Sequence, residues 1–165
     1  MCTTVNSSKG FIRGDIDPSG VARDTSWAPV YVAYGDNNRA LMLRMPHSRD
    51  CIENRVPDIS TNAYWAASMH IGAGIEGVIQ KQDPGDPQNL NFYECSPEQL
   101  ASRGVDLLPR SLADALDAFD SYPISGQVLG AGPKQEYLLI KRVEWEKYHA
   151  DISNWEWERY AHFFG

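Results

Sequence analysis

Arginines and a carboxylate recur at close spacing in one short region of this chain. Glu53 and Arg55 stand two apart within Ile52-Glu53-Asn54-Arg55-Val56, a β-like run. Alternation along a strand puts these two on one face and Ile52, Asn54 and Val56 on the other. An acid and a base displayed side by side are the material of a polar site, and equally of a surface cross-strand ion pair worth under about 1 kcal/mol. Just ahead, Arg39 and Arg44 lie in the run from Asn37 to Arg44. Guanidinium groups are planar bidentate donors for carboxylate and phosphate, although two arginines at strand ends also read as ordinary solvated charges. Spacing alone leaves both pairs open.

The elements that must position these residues are legible in outline. Ala28 to Tyr34 and Ala40 to Met45 are apolar and β-prone, and Gly35-Asp36-Asn37-Asn38 between them tolerates positive φ, so a hairpin is expected. A third strand at Ile52 to Val56 extends the sheet, with Pro46 and Pro57 at the breaks. From Tyr64 to Ile79 the chain is apolar almost all round, which predicts a helix buried on several sides, capped by Ser60 or Asn62. Residues 80–98 read as a loop. Ser111 opens a short amphipathic helix with Leu112, Leu116 and Phe119 on one face and Asp114 in the capping turn. Two more helices follow: Gln135 to Tyr148, and a last one opened by Ser153 with Glu156 as a capping box and Ile152 against Trp157 as the staple. Residues 1–27 lack periodicity and read as a long loop.

Other patterns carry less weight. Gly72-Ala73-Gly74-Ile75-Glu76-Gly77 fits a dinucleotide fingerprint but lies late in a helix, where close helix packing explains it better. Asp15, Asp17, Ser19 and Gly20 begin like an EF-hand loop whose twelfth position is Ser26 rather than glutamate. His47, His70, His149 and His162 have no metal spacing and read as structural or solvated. Cys51 reads as a small buried or half-buried residue. The aromatic tail from Trp145 to Phe164 is interleaved with Glu144, Glu146, Glu156 and Glu158, which disfavours stacking on nucleic acid and favours packing onto the sheet or another part of the fold.

Composition narrows the classes further. A chain of 165 residues can bury one real core. Its formal charge of −7 argues against a phosphate-backbone binder. Cys2, Cys51 and Cys95 are odd in number and have no Cys-x-x-Cys spacing, and no apolar run approaches a membrane span. The first residues lack a basic segment followed by an apolar one, so no secretory signal is expected. The expected location is cytoplasmic and reduced, with neither nucleic acid nor membrane as partner.

Asn37-Asn38-Arg39, Arg44-Met45-Pro46, Ile52 to Asp58 with Thr61-Asn62-Ala63-Tyr64, Asn6-Ser7-Ser8-Lys9 and Ala28-Pro29-Val30 resemble, in order and spacing, the C-terminal part of the catalytic domain of glutamine synthetases. The resemblance covers nearly the whole chain. It implies an α+β fold in which an antiparallel sheet segment carries Arg39, Arg44, Glu53 and Arg55 under four helices. Residues 1–165 would be the C-terminal portion of such a domain, without the N-terminal β-grasp domain or the first half of the catalytic domain. The chain is therefore expected to be a truncated reading frame, a fragment or a separately encoded piece, inactive alone.

The same resemblance assigns roles. Glu53 matches a metal ligand for Mg2+ or Mn2+ on the nucleotide side, and a hard cation suits carboxylate oxygen. Arg55 matches the residue facing the substrate carboxylate and the transferring phosphate, Arg39 a contact to glutamate carboxylate or γ-phosphate, and Arg44 a contact to the ATP phosphates. Arg49 lies near a nucleotide-contacting position that Cys51 occupies here. The implied reaction is ATP-dependent ligation of glutamate with ammonia or a small amine through γ-glutamyl phosphate, in a homo-oligomer or with a complementary ligase fragment.

Two departures bear on the amine. The family's Asn-Ser-Tyr-Lys-Arg reads Asn-Ser-Ser-Lys-Gly around Lys9, and Trp27 stands where a loop glutamate precedes Ala-Pro. Ser19-Gly20 and Thr25-Ser26-Trp27 instead resemble the form of a divergent, type III-like branch, and the missing glutamate points to an alkylamine donor beside Trp27, which equally reads as plain packing. The alternative from another class is a non-catalytic remnant or assembly module docking onto a full-length ligase.

Overall fold

A computed structural model describes residues 29–57, 60–92 and 95–163. The expectations placed on residues 1–28, among them Lys9, Trp27 and the EF-hand-like loop, lie outside the described residues. The chain is α+β, as expected. Four strands, β1 (Tyr31–Asp36), β2 (Leu41–Met45), β3 (Glu53–Asn54) and β4 (Asp106–Leu107), form a sheet in the order β3-β2-β1-β4.

The sheet is mixed, and this corrects the expected hairpin. β2 pairs antiparallel with β3 and β1 antiparallel with β4, but β1 and β2 run parallel, with Tyr31 beside Leu41 and Asp36 beside Met45. Residues 37–40 must therefore return the chain from one end of β1 to the other. Their polar side chains hold them elsewhere than in a two-residue turn. Asn38 donates to the carbonyls of Gln88 (3.0 Å) and Leu90 (2.9 Å) and accepts from the Ala40 amide. Asn37 adopts a φ of 55° and donates its amide to the Met45 carbonyl.

The 85–90 loop fastens to the same strand. Tyr34 donates its hydroxyl to the Gly85 carbonyl (2.7 Å), and Asp36 and Asn89 exchange two hydrogen bonds. Gly35 makes the approach feasible, since a Cβ there would stand 2.3 Å from the Gln88 carbonyl oxygen. Val30, Tyr31, Leu41 and Phe92 form the buried cluster under the sheet, joined by Leu100 and Val105. Tyr31 and Phe92 meet edge to face at 5.0 Å, a geometry favoured by the ring quadrupoles.

The helices are α1 (Ala63–Ile79), α2 (Pro97–Ser102), α3 (Leu112–Ser121), α4 (Pro123–Leu129), α5 (Ala131–Ala150) and α6 (Asn154–Tyr160), followed by a 3₁₀ turn at Ala161–Phe163. Local signals placed several ends correctly. The Asn62 side chain accepts from the amides of Tyr64 and Trp65, Ser111 accepts from Asp114, and Ser153 with Glu156 closes a capping box. α2 and α4 were not foreseen, and α5 is longer than the expected Gln135–Tyr148.

Leu116, Phe119 and Leu138 make a second core with Met69, Leu129 and Tyr137. Gly72 allows α1 to approach α4 closely, because a Cβ there would lie 2.4 Å from Val128 Cγ2. Of its glycine motif, Gly72 serves helix packing as read from the sequence, whereas Gly74 faces open space. The expected burial of α1 on several sides is overturned: no residue of that helix is buried, and Tyr64 is 85% and Val78 79% exposed. No described helix is long and apolar enough to cross a membrane.

Candidate functional site

β2 and β3 bring the charged residues together. Arg44 and Glu53 are direct partners in the antiparallel register, so their side chains project on the same face. Arg44 Nη1 donates to Glu53 Oε2 at 2.6 Å, and Arg55 Nε lies 3.4 Å from Glu53 Oε1. The i, i+2 reading of Glu53 and Arg55 is thereby met. Asn54 serves other contacts: its Oδ1 accepts from the Val56 amide, and its Nδ2 lies 3.3 Å from His70 Nδ1 on α1. The Arg55 amide continues the pairing by donating to the Met42 carbonyl.

Asn37 completes the cluster. Its Oδ1 accepts from Arg44 Nε at 3.0 Å and also from Nη2, so one edge of the guanidinium is fixed by Asn37 while Nη1 reaches Glu53. The parallel register makes this possible, because Gly35 stands beside Arg44 and Asp36 beside Met45. The sequence marks Asn37 as a turn residue and a member of the Asn37-Asn38-Arg39 motif, but not as a partner of Arg44. Its signal was the asparagine tolerant of positive φ, but the partner depended on strand direction.

The side chains of Arg44 and Arg55 are only 15% and 18% exposed, against 37% for Glu53. Two guanidiniums and one carboxylate carry a formal charge of +1, which suits a further anion such as a phosphate or carboxylate. Arg39 is not part of this arrangement. It is exposed in the connection before β2, and among the described residues it makes no ion pair with Glu53. Its neighbour Ala40 receives the Val30 amide, so Arg39 sits at the opposite end of the β1–β2 pair from Arg44.

A divalent cation does not fit the described residues alone. Glu53 supplies one carboxylate, both of whose oxygens face guanidinium nitrogens, and no group of three or more His, Cys, Asp or Glu side chains converges among the described residues. Arg49 and Cys51 are exposed, joined by a 3.0 Å bond from the Cys51 amide to the Arg49 carbonyl. The exposure of Cys51 corrects its expected burial.

A family model described as glutamine synthetase, catalytic domain, matches residues 1–160. Among curated proteins, the chain is 42% identical over 163 residues to a glutamate–methylamine ligase of Methyloversatilis universalis, covering 99% of this chain and 35% of that protein. It is 36% identical to glutamine synthetases of Methanosarcina mazei, over 81% of this chain and 30% of that one, and of Halobacterium salinarum, over 98% and 34%. The chain thus spans about a third of the length of the curated relatives it matches. Among solved structures, a GmaS–ADP complex superposes with a TM-score of 0.75 at 25% identity, over 98% of this chain and 38% of that chain. GmaS without ligand gives 0.69 at the same identity, over 97% and 37%.

Proposed function

The chain belongs to the glutamine synthetase family, and we propose that it supplies the arginine-and-carboxylate face of an ATP-dependent ligase joining glutamate to an amine. The observation that carries this reading is the Arg44–Glu53–Arg55 cluster, built on adjacent strands from the residues that match the family's motif. In the reaction, the glutamate γ-carboxylate oxygen attacks the terminal phosphorus of ATP and ADP leaves. The amine nitrogen then attacks the carbonyl carbon, phosphate departs and the nitrogen loses a proton. Both steps gather negative charge on oxygen, and fixed guanidiniums lower the barrier by meeting that charge without reorganising.

In this assignment Arg44, oriented by Asn37, takes the ATP phosphates, and Arg55 faces the transferring phosphoryl group and the glutamate carboxylate. Arg39, standing apart from the cluster, contacts the glutamate end or the γ-phosphate. Glu53 serves as a ligand of Mg2+ or Mn2+ only together with carboxylates from elsewhere in a complete ligase. Residues 1–165 form the C-terminal portion of the catalytic domain, cytoplasmic and inactive alone, working in an oligomer or with a complementary segment.

The amine is methylamine or another small amine in preference to ammonia. The 42% identity to a glutamate–methylamine ligase and Trp27 in place of a loop glutamate support this. Placement in a type III-like branch rests on the sequence motifs alone. The test is kcat/KM for ammonium, methylamine and ethylamine in a complete ligase containing this segment, alongside Arg55→Lys. Full activity in the variant, or ammonium preferred by orders of magnitude, refutes the corresponding part. A non-catalytic assembly module is the second reading, favoured by the uncovered surface of α1. It predicts a stable complex with a ligase whose rate is indifferent to Arg44 and Arg55.

A further inference from the structure

Asn54 stands between Glu53 and Arg55, and alternation along β3 turns its side chain to the opposite face, where it meets α1. The partners of its amide group settle which atom points where. The Val56 backbone amide can only donate, so the atom it meets at 3.1 Å is Oδ1, the acceptor. Nδ2 is left facing His70 Nδ1 at 3.3 Å. An NH2 group also can only donate, so His70 Nδ1 must accept, and the neutral ring carries its proton on Nε2.

The two ends of this contact are held very differently. α1 is anchored along its inner side: Trp65 packs on Tyr137 at 5.3 Å, Met69, the residue before His70, joins the helical core, Gly72 receives Val128, and Glu76 Oε2 accepts the Tyr122 hydroxyl at 2.6 Å. β3 is two residues long and lies at the edge of the described sheet, with Asn54 beside Leu43 and Glu53 beside Arg44 on β2. A strand that short has little pairing of its own to fix its orientation. The peptide planes that set Asn54 also set Glu53 and Arg55 on the other face. Holding Asn54 from behind therefore fixes the direction in which the carboxylate and the guanidinium project.

We propose that His70 is a positioning residue for the Arg44–Glu53–Arg55 cluster, acting through Asn54 as a hydrogen-bond acceptor in its Nε2-protonated form. This deepens the ligase reading, on which its kinetic consequence rests. A slack β3 misplaces Glu53 and Arg55 against the transferring phosphoryl group, and preorganised charge loses its advantage once it must reorganise. A displacement of about 1 Å at such a site can cost about 100-fold in rate.

His70 is exposed, so replacing it opens no cavity in either core. Long-range 1H–15N spectra of the histidine rings in the full 165-residue chain read the tautomer directly. In mildly alkaline buffer His70 should carry its proton on Nε2, and Asn54→Asp, whose second oxygen can only accept, should move that proton to Nδ1. His70→Leu removes the acceptor and should speed amide exchange several-fold at Arg55, which donates to the Met42 carbonyl, with the amides of Asn37 and Leu108 elsewhere in the sheet unchanged. His70→Asn puts an acceptor oxygen where Nδ1 stands and should restore slow exchange. In a complete ligase containing this segment, His70→Leu should lower kcat about 10-fold with KM for the amine unchanged, and His70→Asn should recover most of the loss. Circular dichroism verifies that each variant folds. A proton that stays on Nε2 in Asn54→Asp, exchange that rises equally at all three amides, no recovery in His70→Asn, or an unchanged kcat in His70→Leu overturns the proposal. Failure of the complete ligase to join any amine to glutamate refutes the ligase reading instead, and the ring and exchange results on the chain alone then decide the positioning.

Discussion

Replacing Glu53 by glutamine keeps the shape of the cluster and removes its one negative charge. Arg44 and Arg55, 15% and 18% exposed, would then face each other across an uncharged amide. At an effective dielectric near 20 each charge pair in the native cluster is worth about 4 kcal/mol at 4 Å. Glu53 is itself 37% exposed, so solvent and salt reduce this toward the ~1 kcal/mol of a well-made surface pair. Losing both pairs and gaining guanidinium repulsion should cost about 2 kcal/mol of folding stability. In urea, with a slope near 2 kcal/mol/M, the midpoint should fall by about 1 M.

The deficit should shrink in 0.5 M salt, and a cycle with Arg44→Met should return a coupling of about 1 kcal/mol. The same change raises the cluster's formal charge from +1 to +2. Inorganic pyrophosphate should therefore bind the isolated chain several-fold more tightly in Glu53→Gln, by calorimetry at low salt, an effect that a purely structural role would not produce. A stability change under 0.3 kcal/mol together with weaker pyrophosphate binding would refute the electrostatic account of the site.

Two glycines on α1 should respond in opposite directions: Gly72→Ala should lower stability by about 1 kcal/mol through its clash with Val128, whereas Gly74→Ala, with open space around it, should raise it by about 0.5–1 kcal/mol, both by thermal unfolding. Gly35→Ala should cost about 2–3 kcal/mol and loosen the 85–90 loop, seen as faster amide exchange at Gln88, because its Cβ would meet a carbonyl oxygen. Hydrogen bonds from the Ser153 hydroxyl and amide, with a smaller contribution from His149, hold the Glu156 carboxyl below the usual carboxylate range. The stabilisation of α6 by this cap is therefore present above the ordinary carboxylate pKa and lost as pH falls through the depressed value. Amide shifts of residues 153–157 should titrate with that sign, and Glu156→Gln should abolish the transition.

What the sequence determined by itself was short in range. Asn62, Ser111 and Ser153 marked helix starts because a side-chain oxygen satisfies an amide two or three residues on. Glu53 and Arg55 shared a face because strand side chains alternate. The family motifs around Arg39, Arg44 and Glu53 identified the family, and the long apolar run gave α1.

Tertiary structure decided the rest. The direction of β2 relative to β1 depends on hydrogen bonds between residues 50 to 53 positions apart, Asn38 to Gln88 and Leu90 and Asp36 to Asn89, which no local propensity encodes. That direction in turn put Asn37 against Arg44 and left Arg39 at the far end of the strand pair. α1 formed where its sequence predicted, yet its apolar side lies open, because burial is a property of what packs against a helix rather than of the helix itself.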